Sequence, residues 1–199
     1  MTERARRRIT DPEVLKGLTH PLRRRVFRLL AQFGPATVTT LAQRTGADPG
    51  RMSYHVRELA KRGFIEPAPE LARDGRESWW RLVPGSVSWS STDMADPADR
   101  AVTDALHDVT VADEFERLQV FEAAIDSWGP EWAAAAETSN SYLRATPQEL
   151  RELTAQINDL IIAFRDVEGR STDRSRAADQ ADDGRESVFI FMHAFPERP

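Results

Sequence analysis

The stretch TVTTLAQRTGADPGRMSYHVRELAKRGFIE, residues 37–66, decides the fold of this chain. Thr37 is typical of a helix N-cap, and the helix that follows ends at Gly46, a residue that favours the left-handed C-cap conformation. Asp48 and Pro49 open a second helix, because the carboxylate caps the first turn and proline suits the first helical position. Apolar side chains recur at helical spacing in this second helix, at Met52, Val56 and Leu59. Two short helices joined by a tight turn predict a helix-turn-helix.

Further helices are predicted before this motif. Asp11 and Pro12 repeat the cap-and-proline device and open a short first helix. Thr19 and Pro21 open a second helix with an apolar stripe, which ends at Gly34-Pro35. These helices supply the rest of a small helical core.

A hairpin is predicted directly after the motif. Phe64–Glu66 reads as a short strand, Asp74-Gly75 is a strong two-residue turn signal, and Ser78–Val83 reads as the returning strand. A hairpin behind the second helix of the motif makes it winged. We therefore predict a winged helix-turn-helix domain over residues 10–85, preceded by a disordered basic arm over residues 1–9.

Four segments in order carry a resemblance to a known family. They are LTHPLR (18–23), TVTTLAQRTG (37–46), MSYHVRELAKRGFIE (52–66) and DGRES (74–78). In these segments the chain resembles the winged-helix domain of bacterial and archaeal ArsR-type transcriptional regulators. The resemblance implies DNA binding, with a recognition helix in the major groove and a hairpin tip that reaches the neighbouring minor groove. It also implies repression by occupation of a promoter.

The second helix of the motif carries the predicted base-reading surface. Arg51, Ser53, Tyr54 and Arg57 are expected on or near its outward face, while the apolar positions anchor its back. We assign base reading to Arg51, since a guanidinium can donate two hydrogen bonds to guanine O6 and N7. By the resemblance, Ser53, Tyr54 and His55 face DNA. The alternative is that Tyr54 and His55 pack against the preceding helix.

Two further sets of residues are predicted to contact the DNA backbone or the minor groove. Thr37, Thr39 and Thr40 begin the preceding helix, whose free N–H groups suit a phosphate oxygen. One of these hydroxyl groups is needed as the cap, so a structural role is the alternative. Arg73 and Arg76 lie at the hairpin tip, where arginine suits the negative potential of the minor groove. Solvated turn arginines are the alternative for that pair.

The charge is divided unevenly between the two halves of the chain. Through Gly85 there are 17 Lys and Arg against 9 Asp and Glu, a net charge of +8. From Ser86 onward there are 10 Arg against 23 Asp and Glu, a net charge of -13. This asymmetry predicts a basic half that meets a polyanion, which we take to be double-stranded DNA, and an acidic half with another role.

Composition excludes several classes of function. The 199 residues include no Cys, which removes disulfides, thiolate metal sites and Cys nucleophiles together. Asp104, His107 and Asp108 share one helix face without a second His at ligand spacing, so we expect no metal and no cofactor. There is no Gly-rich phosphate loop or nucleophile elbow, so we expect no enzyme. No apolar run approaches the ~20 residues of a membrane span, so we expect a soluble cytoplasmic protein without a membrane partner.

Residues 86–199 are predicted to form a helical C-terminal region for dimerisation, with aromatic residues that could line a site for a small apolar effector. A long helical pattern runs from Pro97 to Trp128, with a break or kink expected at residues 109–111. The order of elements and the closing HAFP segment (193–196) resemble the extended tail of some ArsR-like regulators, including archaeal heat-shock repressors.

The last predicted helix carries the candidate dimer surface. Thr146 to Glu149 form a capping box with proline at the first helical position. Residues 168–184 are polar and are expected to form a mobile loop, and residues 188–195 are expected to form a strand, with Ser141–Leu143 as a possible partner. The apolar stripe expected to form the dimer seam consists of Leu150, Leu153, Ile157, Leu160, Phe164 and Val167.

We therefore predict an α+β, mainly helical protein, in which a winged helix-turn-helix precedes a helical region with a short terminal strand. Its expected function is that of a sequence-specific DNA-binding transcriptional regulator, acting as a homodimeric repressor on a two-fold-related operator. The alternative is a winged helix used as a protein-interaction module. The positive charge of the first half favours DNA, because a module for protein contacts has no need of it.

Overall fold

The computed structural model describes residues 7–74, 77–85, 87–165 and 184–197. Its helices are α1 (Pro12–Leu15), α2 (Pro21–Phe33), α3 (Val38–Thr45), α4 (Pro49–Lys61), α5 (Pro97–Ala123), α6 (Pro130–Ala135) and α7 (Pro147–Arg165). Its strands are β1 (Arg7–Arg8), β2 (Ala36–Thr37), β3 (Ile65–Pro67), β4 (Trp79–Leu82) and β5 (Val87–Ser88). The α+β, mainly helical fold class is thus confirmed.

The predicted hairpin forms the wing of the first domain. β3 and β4 pair antiparallel, with Ile65 opposite Leu82 and Glu66 opposite Arg81. The outer edge of β4 pairs antiparallel with β2, which gives a three-stranded sheet in the order β2-β4-β3. Because β2 leads directly into α3, the sheet joins the wing to the helix-turn-helix.

The first compact unit of the chain reaches His107 and so extends past the predicted domain end at residue 85. Its core contains the apolar faces of α1 to α4 and the wing, and it also contains Met94 and Leu106, both 2% exposed. The local sequence signals end with the hairpin, so they predict a domain end there. Met94 and Leu106 are buried by residues distant in sequence, and local signals do not show such contacts.

The predicted disordered arm is wrong for residues 7–9. β1 pairs in parallel with β5, and the N–H of Ile9 donates to the Ser88 carbonyl at 2.8 Å. Ile9 is buried, and the Arg7 guanidinium donates to the Gly63 carbonyl at 2.5 Å. Residues 1–6 lie outside the described residues.

The second compact unit begins at Asp108 and holds the rest of α5, together with α6 and α7. The break expected at residues 109–111 is absent, since α5 continues to Ala123. β-branched residues lower helix stability by only tenths of a kcal/mol each, about 0.5, which a long helix tolerates. No helix of the described residues is long and apolar enough to cross a membrane.

The expected terminal strand is absent from the described residues 184–197, and so is its expected partner at 141–143. Residues 188–195 form no helix or strand, and the side chains of Phe189, Phe191 and His193 contact α5. The mobile loop predicted at 168–184 lies almost wholly outside the described residues.

Candidate nucleic-acid interface

The sequence of α4 fixes which of its faces is exposed. The Asp48 carboxylate accepts the backbone N–H of Arg51 at 3.0 Å, which caps the helix as predicted. Met52, Val56 and Leu59 are fully buried, so the opposite face is presented to solvent. That surface is the outward face of α4, and Arg51, Tyr54 and Arg57 are exposed on it.

Some polar groups of the outward face already form hydrogen bonds within α4, and others do not. The Ser53 hydroxyl donates to the Pro49 carbonyl at 2.9 Å and is partly covered. The Arg57 Nε–H donates to the Ser53 carbonyl at 3.1 Å, which holds the stem of that side chain along the helix. Tyr54 is 53% exposed. Arg51, Tyr54 and Arg57 therefore offer the groups that can reach a base or a phosphate.

The prediction that His55 faces DNA is wrong. Its side chain is buried and its ring lies 4.3 Å from the ring of His20 and 5.3 Å from that of Tyr54, centroid to centroid. Position 55 lies one turn from Met52 and Leu59, on the side of the helix that packs inward. Burial lowers the pKa of His55, and the neighbouring His20 and Arg23 lower it further. The His55 ring thus packs within the domain, against His20 at the start of α2 and not against the preceding helix α3.

His20 is the structural residue that sequence reasoning missed. Its Nδ1 accepts the backbone N–H of Leu22 at 3.1 Å and caps α2, the role expected of Thr19. Nδ1 must therefore be unprotonated, and burial with Arg23 and Arg51 nearby lowers the pKa of His20. The signal was the His-Pro pair, because Pro21 marks the first helical position and so makes position 20 the cap.

Of the three threonines at the start of α3, two take part in capping the helix and one is exposed. Thr37 caps the helix, because its hydroxyl accepts the N–H of Thr40 at 3.1 Å. The Thr37 and Thr40 hydroxyl groups also lie 2.9 Å apart and form a hydrogen bond. Thr39 is exposed and is the member of the set that can meet a phosphate without breaking the cap.

At the tip of the wing the structure describes Arg73 but not Arg76. Arg73 is exposed, and its backbone N–H donates to the Glu77 carboxylate at 3.0 Å. The same carboxylate accepts the indole N–H of Trp79 at 2.9 Å, and these two hydrogen bonds lower the pKa of Glu77. The tip is thus fastened to the wing through Glu77, while the Arg73 side chain extends into solvent. Arg76 lies outside the described residues.

Two arginine side chains at the start of α2 form hydrogen bonds within the domain. Arg23 donates to the carbonyls of Gly17 and Lys16 at 2.5 and 2.7 Å, and Arg24 donates to that of Thr19 at 2.9 Å. These two side chains therefore cap the turn between α1 and α2. Among the described residues, no group of three or more His, Asp and Glu could hold a metal ion.

The predicted dimer stripe lies on α7. Its capping box forms as expected, with the Thr146 N–H donating to the Glu149 carboxylate at 2.7 Å and the Glu149 N–H donating to the Thr146 hydroxyl at 3.2 Å. Leu160 and Phe164 are 70% and 61% exposed. The remaining described members of the stripe are Leu150 and Ile157, which are half-buried, and Leu153, which is exposed. Val167 lies outside the described residues.

Helix-turn-helix, wing and exposed basic recognition helix together define the class of this protein: it has a winged helix-turn-helix DNA-binding domain. Residues 18–68 match the family described as a helix-turn-helix domain. A search of curated proteins found no match.

Solved structures of transcriptional regulators are similar to this chain. A possible transcriptional regulator for arsenical resistance is 31% identical, over 54% of this chain and 94% of the other, with a TM-score of 0.32. A homodimeric winged helix-turn-helix DNA-binding domain (fragment 1–100) of a possible ArsR-family regulator from Mycobacterium bovis is 22% identical, over 51% and 76%, with a TM-score of 0.34. HlyU from Vibrio cholerae N16961 is 15% identical, over 49% and 87%, with a TM-score of 0.32.

The sequence matches decide the family. The chain belongs to the transcriptional regulators of the ArsR type, which have a winged helix-turn-helix DNA-binding domain. The resemblance carried by the four segments is thereby confirmed.

Proposed function

We propose that this protein is a sequence-specific repressor that binds a two-fold-related operator as a homodimer. The outward face of α4 is the observation that carries the proposal. Arg51 and Arg57 present guanidinium groups one to two turns apart, with Tyr54 between them, on a helix anchored by three fully buried side chains. A basic helix whose opposite face is anchored in the core suits the major groove.

Base reading is assigned to Arg51 within this face. Its backbone N–H is taken up by the Asp48 cap, so the residue is fixed in the first turn while its side chain remains exposed. A guanidinium held there can donate to O6 and N7 of one guanine. Tyr54, Arg57 and Ser53 are assigned to neighbouring bases or phosphates, and Thr39 to a phosphate at the start of α3.

The wing and α7 complete the proposed mode of binding. Arg73 extends from the wing tip and supplies a cation for the minor groove or its phosphates. The exposed apolar side chains of α7 favour a second copy as partner, because exposed leucine and phenylalanine in a row are costly in water. A two-fold dimer then presents two recognition helices to half-sites about 34 Å apart.

Selection from a random-sequence DNA library tests the base-reading assignment. The wild-type protein should enrich one motif, Arg51→Ala should bind that motif about 5- to 150-fold more weakly, and Arg51→Lys should keep the charge but lose preference at one base position. Arg144→Ala, which removes an equal charge from an exposed site in the second unit, is the matched control and should bind as wild type.

A reporter gene with the enriched motif in its promoter tests the direction of regulation. Expression should fall when the protein is supplied and return with Arg51→Ala. Increased expression would refute repression, and equal binding of all DNA sequences by wild type would refute sequence-specific readout. A protein that binds no DNA at all would favour the protein-interaction module.

A further inference from the structure

Three aromatic rings connect the outward face of α4 to the start of α2. The His55 ring contacts both of the others, with its centroid 5.3 Å from that of Tyr54 and 4.3 Å from that of His20. His20 in turn caps α2, since its Nδ1 accepts the backbone N–H of Leu22 at 3.1 Å. The exposed ring of Tyr54 is therefore joined, through one buried ring, to the capped first turn of another helix.

The contact between Tyr54 and His55 shows which way the tyrosine ring lies. Neighbouring positions of a helix are about 100° apart around its axis, so their side chains do not face each other by default. These two rings nevertheless meet at an interplanar angle of 71°, edge to face, an arrangement that aromatic pairs favour. Tyr54 therefore leans towards His55, while 53% of its surface remains exposed.

The polar atoms of His55 do not account for its place in the core. The side chain is 4% exposed, and its Nδ1 has no hydrogen-bond partner among the described residues. An unpartnered buried nitrogen costs the fold free energy, so an apolar side chain of similar size would serve packing better. What such a side chain could not supply is a flat ring that contacts Tyr54 and His20 at once.

We propose that His55 is a positioning residue for DNA binding: its ring holds the Tyr54 side chain in the orientation in which Tyr54 meets DNA, with His20 as the support behind it. This inference rests on the DNA contact of Tyr54 proposed above and assigns no DNA contact to His55 itself. Arg51 does not need this support, because the Asp48 carboxylate accepts its backbone N–H at 3.0 Å and fixes it in the first turn.

A double-mutant cycle on the full chain tests the proposal. His55→Leu keeps a side chain of similar size and removes the ring, and Tyr54→Ala removes the side chain that the ring holds. With the DNA motif selected by the wild-type protein, fluorescence anisotropy should show about 2- to 10-fold weaker binding for His55→Leu, the range expected for one aromatic contact. In a Tyr54→Ala background the same substitution should have no further effect, because the ring then has nothing to position.

Two control variants separate positioning from simple loss of packing. His55→Phe keeps a ring and should bind the motif within about 2-fold of wild type; binding as weak as that of His55→Leu would contradict the role of the ring. Val56→Ala, at the next buried position of α4, removes packing outside the three rings. Any weakening that it causes should be the same in the wild-type and the Tyr54→Ala backgrounds.

The base preference assigned to Arg51 is a second readout. His55→Leu should leave it unchanged, whereas a general loosening of α4 would reduce it and would overturn the positioning role. If His55→Leu does not fold, His20→Asn takes its place, because asparagine keeps a cap for α2 and removes the ring that supports His55. Its effect on DNA binding should likewise disappear in the Tyr54→Ala background.

The outcomes distinguish this inference from the proposed function. A wild-type protein that binds no DNA overturns both. Tyr54→Ala that binds as wild type overturns the DNA contact of Tyr54, and this inference with it, but leaves readout by Arg51 standing. Equal effects of His55→Leu in the two backgrounds overturn the positioning role alone. Weakening that is confined to the background with Tyr54, together with an unchanged preference at the Arg51 position, supports it.

Discussion

The substitution Leu160→Glu on α7 tests the dimer seam with the least disturbance of the single chain. Leu160 is 70% exposed in one copy, so a glutamate there costs the fold of that copy little, within about 0.5 kcal/mol. In a dimer that buries the stripe, the side chain at position 160 is removed from water. The substitution should therefore affect association far more than folding.

The size of the effect follows from the exposed fraction of the side chain. Full burial of a leucine contributes about 1.5–3 kcal/mol, and the 70% that remains exposed accounts for about 1–2 kcal/mol of that per copy. Both copies lose it, so the dimer should weaken by about 2–4 kcal/mol, or about 30- to 1,000-fold in dissociation constant. Burial of two carboxylates adds to this loss.

Sedimentation velocity across a micromolar concentration series measures the dissociation constant, with 22.5 kDa as the mass of one chain. Ala155→Glu is the matched control, because Ala155 is exposed on the same helix, about 140° around its axis from Leu160. Equal dissociation constants for wild type and Leu160→Glu would refute the seam. Equal weakening by both substitutions would show that added charge, and not loss of the stripe, acts on the dimer.

Three other outcomes are expected. Gly17→Ala should destabilise the first unit by about 1–3 kcal/mol in urea, because a Cβ at that position would lie 2.7 Å from the ring of Phe64; unchanged stability would contradict the close packing there. Folding lowers the pKa of His20 and of His55 below the ordinary value of 6.5. The free energy of unfolding in urea should therefore be highest above pH 6.5 and should decrease as the pH falls from there through the lowered pKa values, because the unfolded chain binds the protons more readily. His20→Asn keeps a capping group and should reduce this pH dependence, and an unchanged profile would show that His20 has no part in it. Arg73→Ala should weaken binding to all DNA sequences alike and lower the salt slope by about 1, measured by fluorescence anisotropy; an unchanged slope would remove the wing from the interface.

The helix-turn-helix was predictable because its signals are local. Caps at Thr37 and Asp48 and the left-handed Gly46 all lie within a few residues of the helix end that they define. The same spacing also explains the error at His55. Met52, His55 and Leu59 follow the spacing of one helix face, so periodicity alone would have placed the imidazole inside.

The ends of the first domain were not predictable, because long-range contacts determine them. Ile9 is buried through a parallel pairing with residues near Ser88, and nothing in a run of arginines indicates that partner. Met94 likewise enters the core from beyond the hairpin. Such contacts depend on the folded arrangement of elements, which local propensity does not encode.

The segment 188–195 shows a different limit of sequence reasoning. Its β-branched and aromatic residues predict a strand, but the segment forms none, and no described strand lies beside it. A strand is defined by its partner as well as by its own residues. The residue pattern shows a preference for strand in this segment, but it does not contain the partner that a strand needs.

The number of protein copies on one selected DNA site tests most directly whether the protein reads DNA as a two-fold dimer. Sedimentation of the complex gives the copies per site, and hydroxyl-radical footprinting of the same complex gives the symmetry of the contacts. A homodimeric repressor should place two copies on a two-fold-related site, with half-sites about 34 Å apart and protection at each half-site that is lost with Arg51→Ala. One copy on an asymmetric site, or a footprint that Arg51→Ala leaves unchanged, would contradict it.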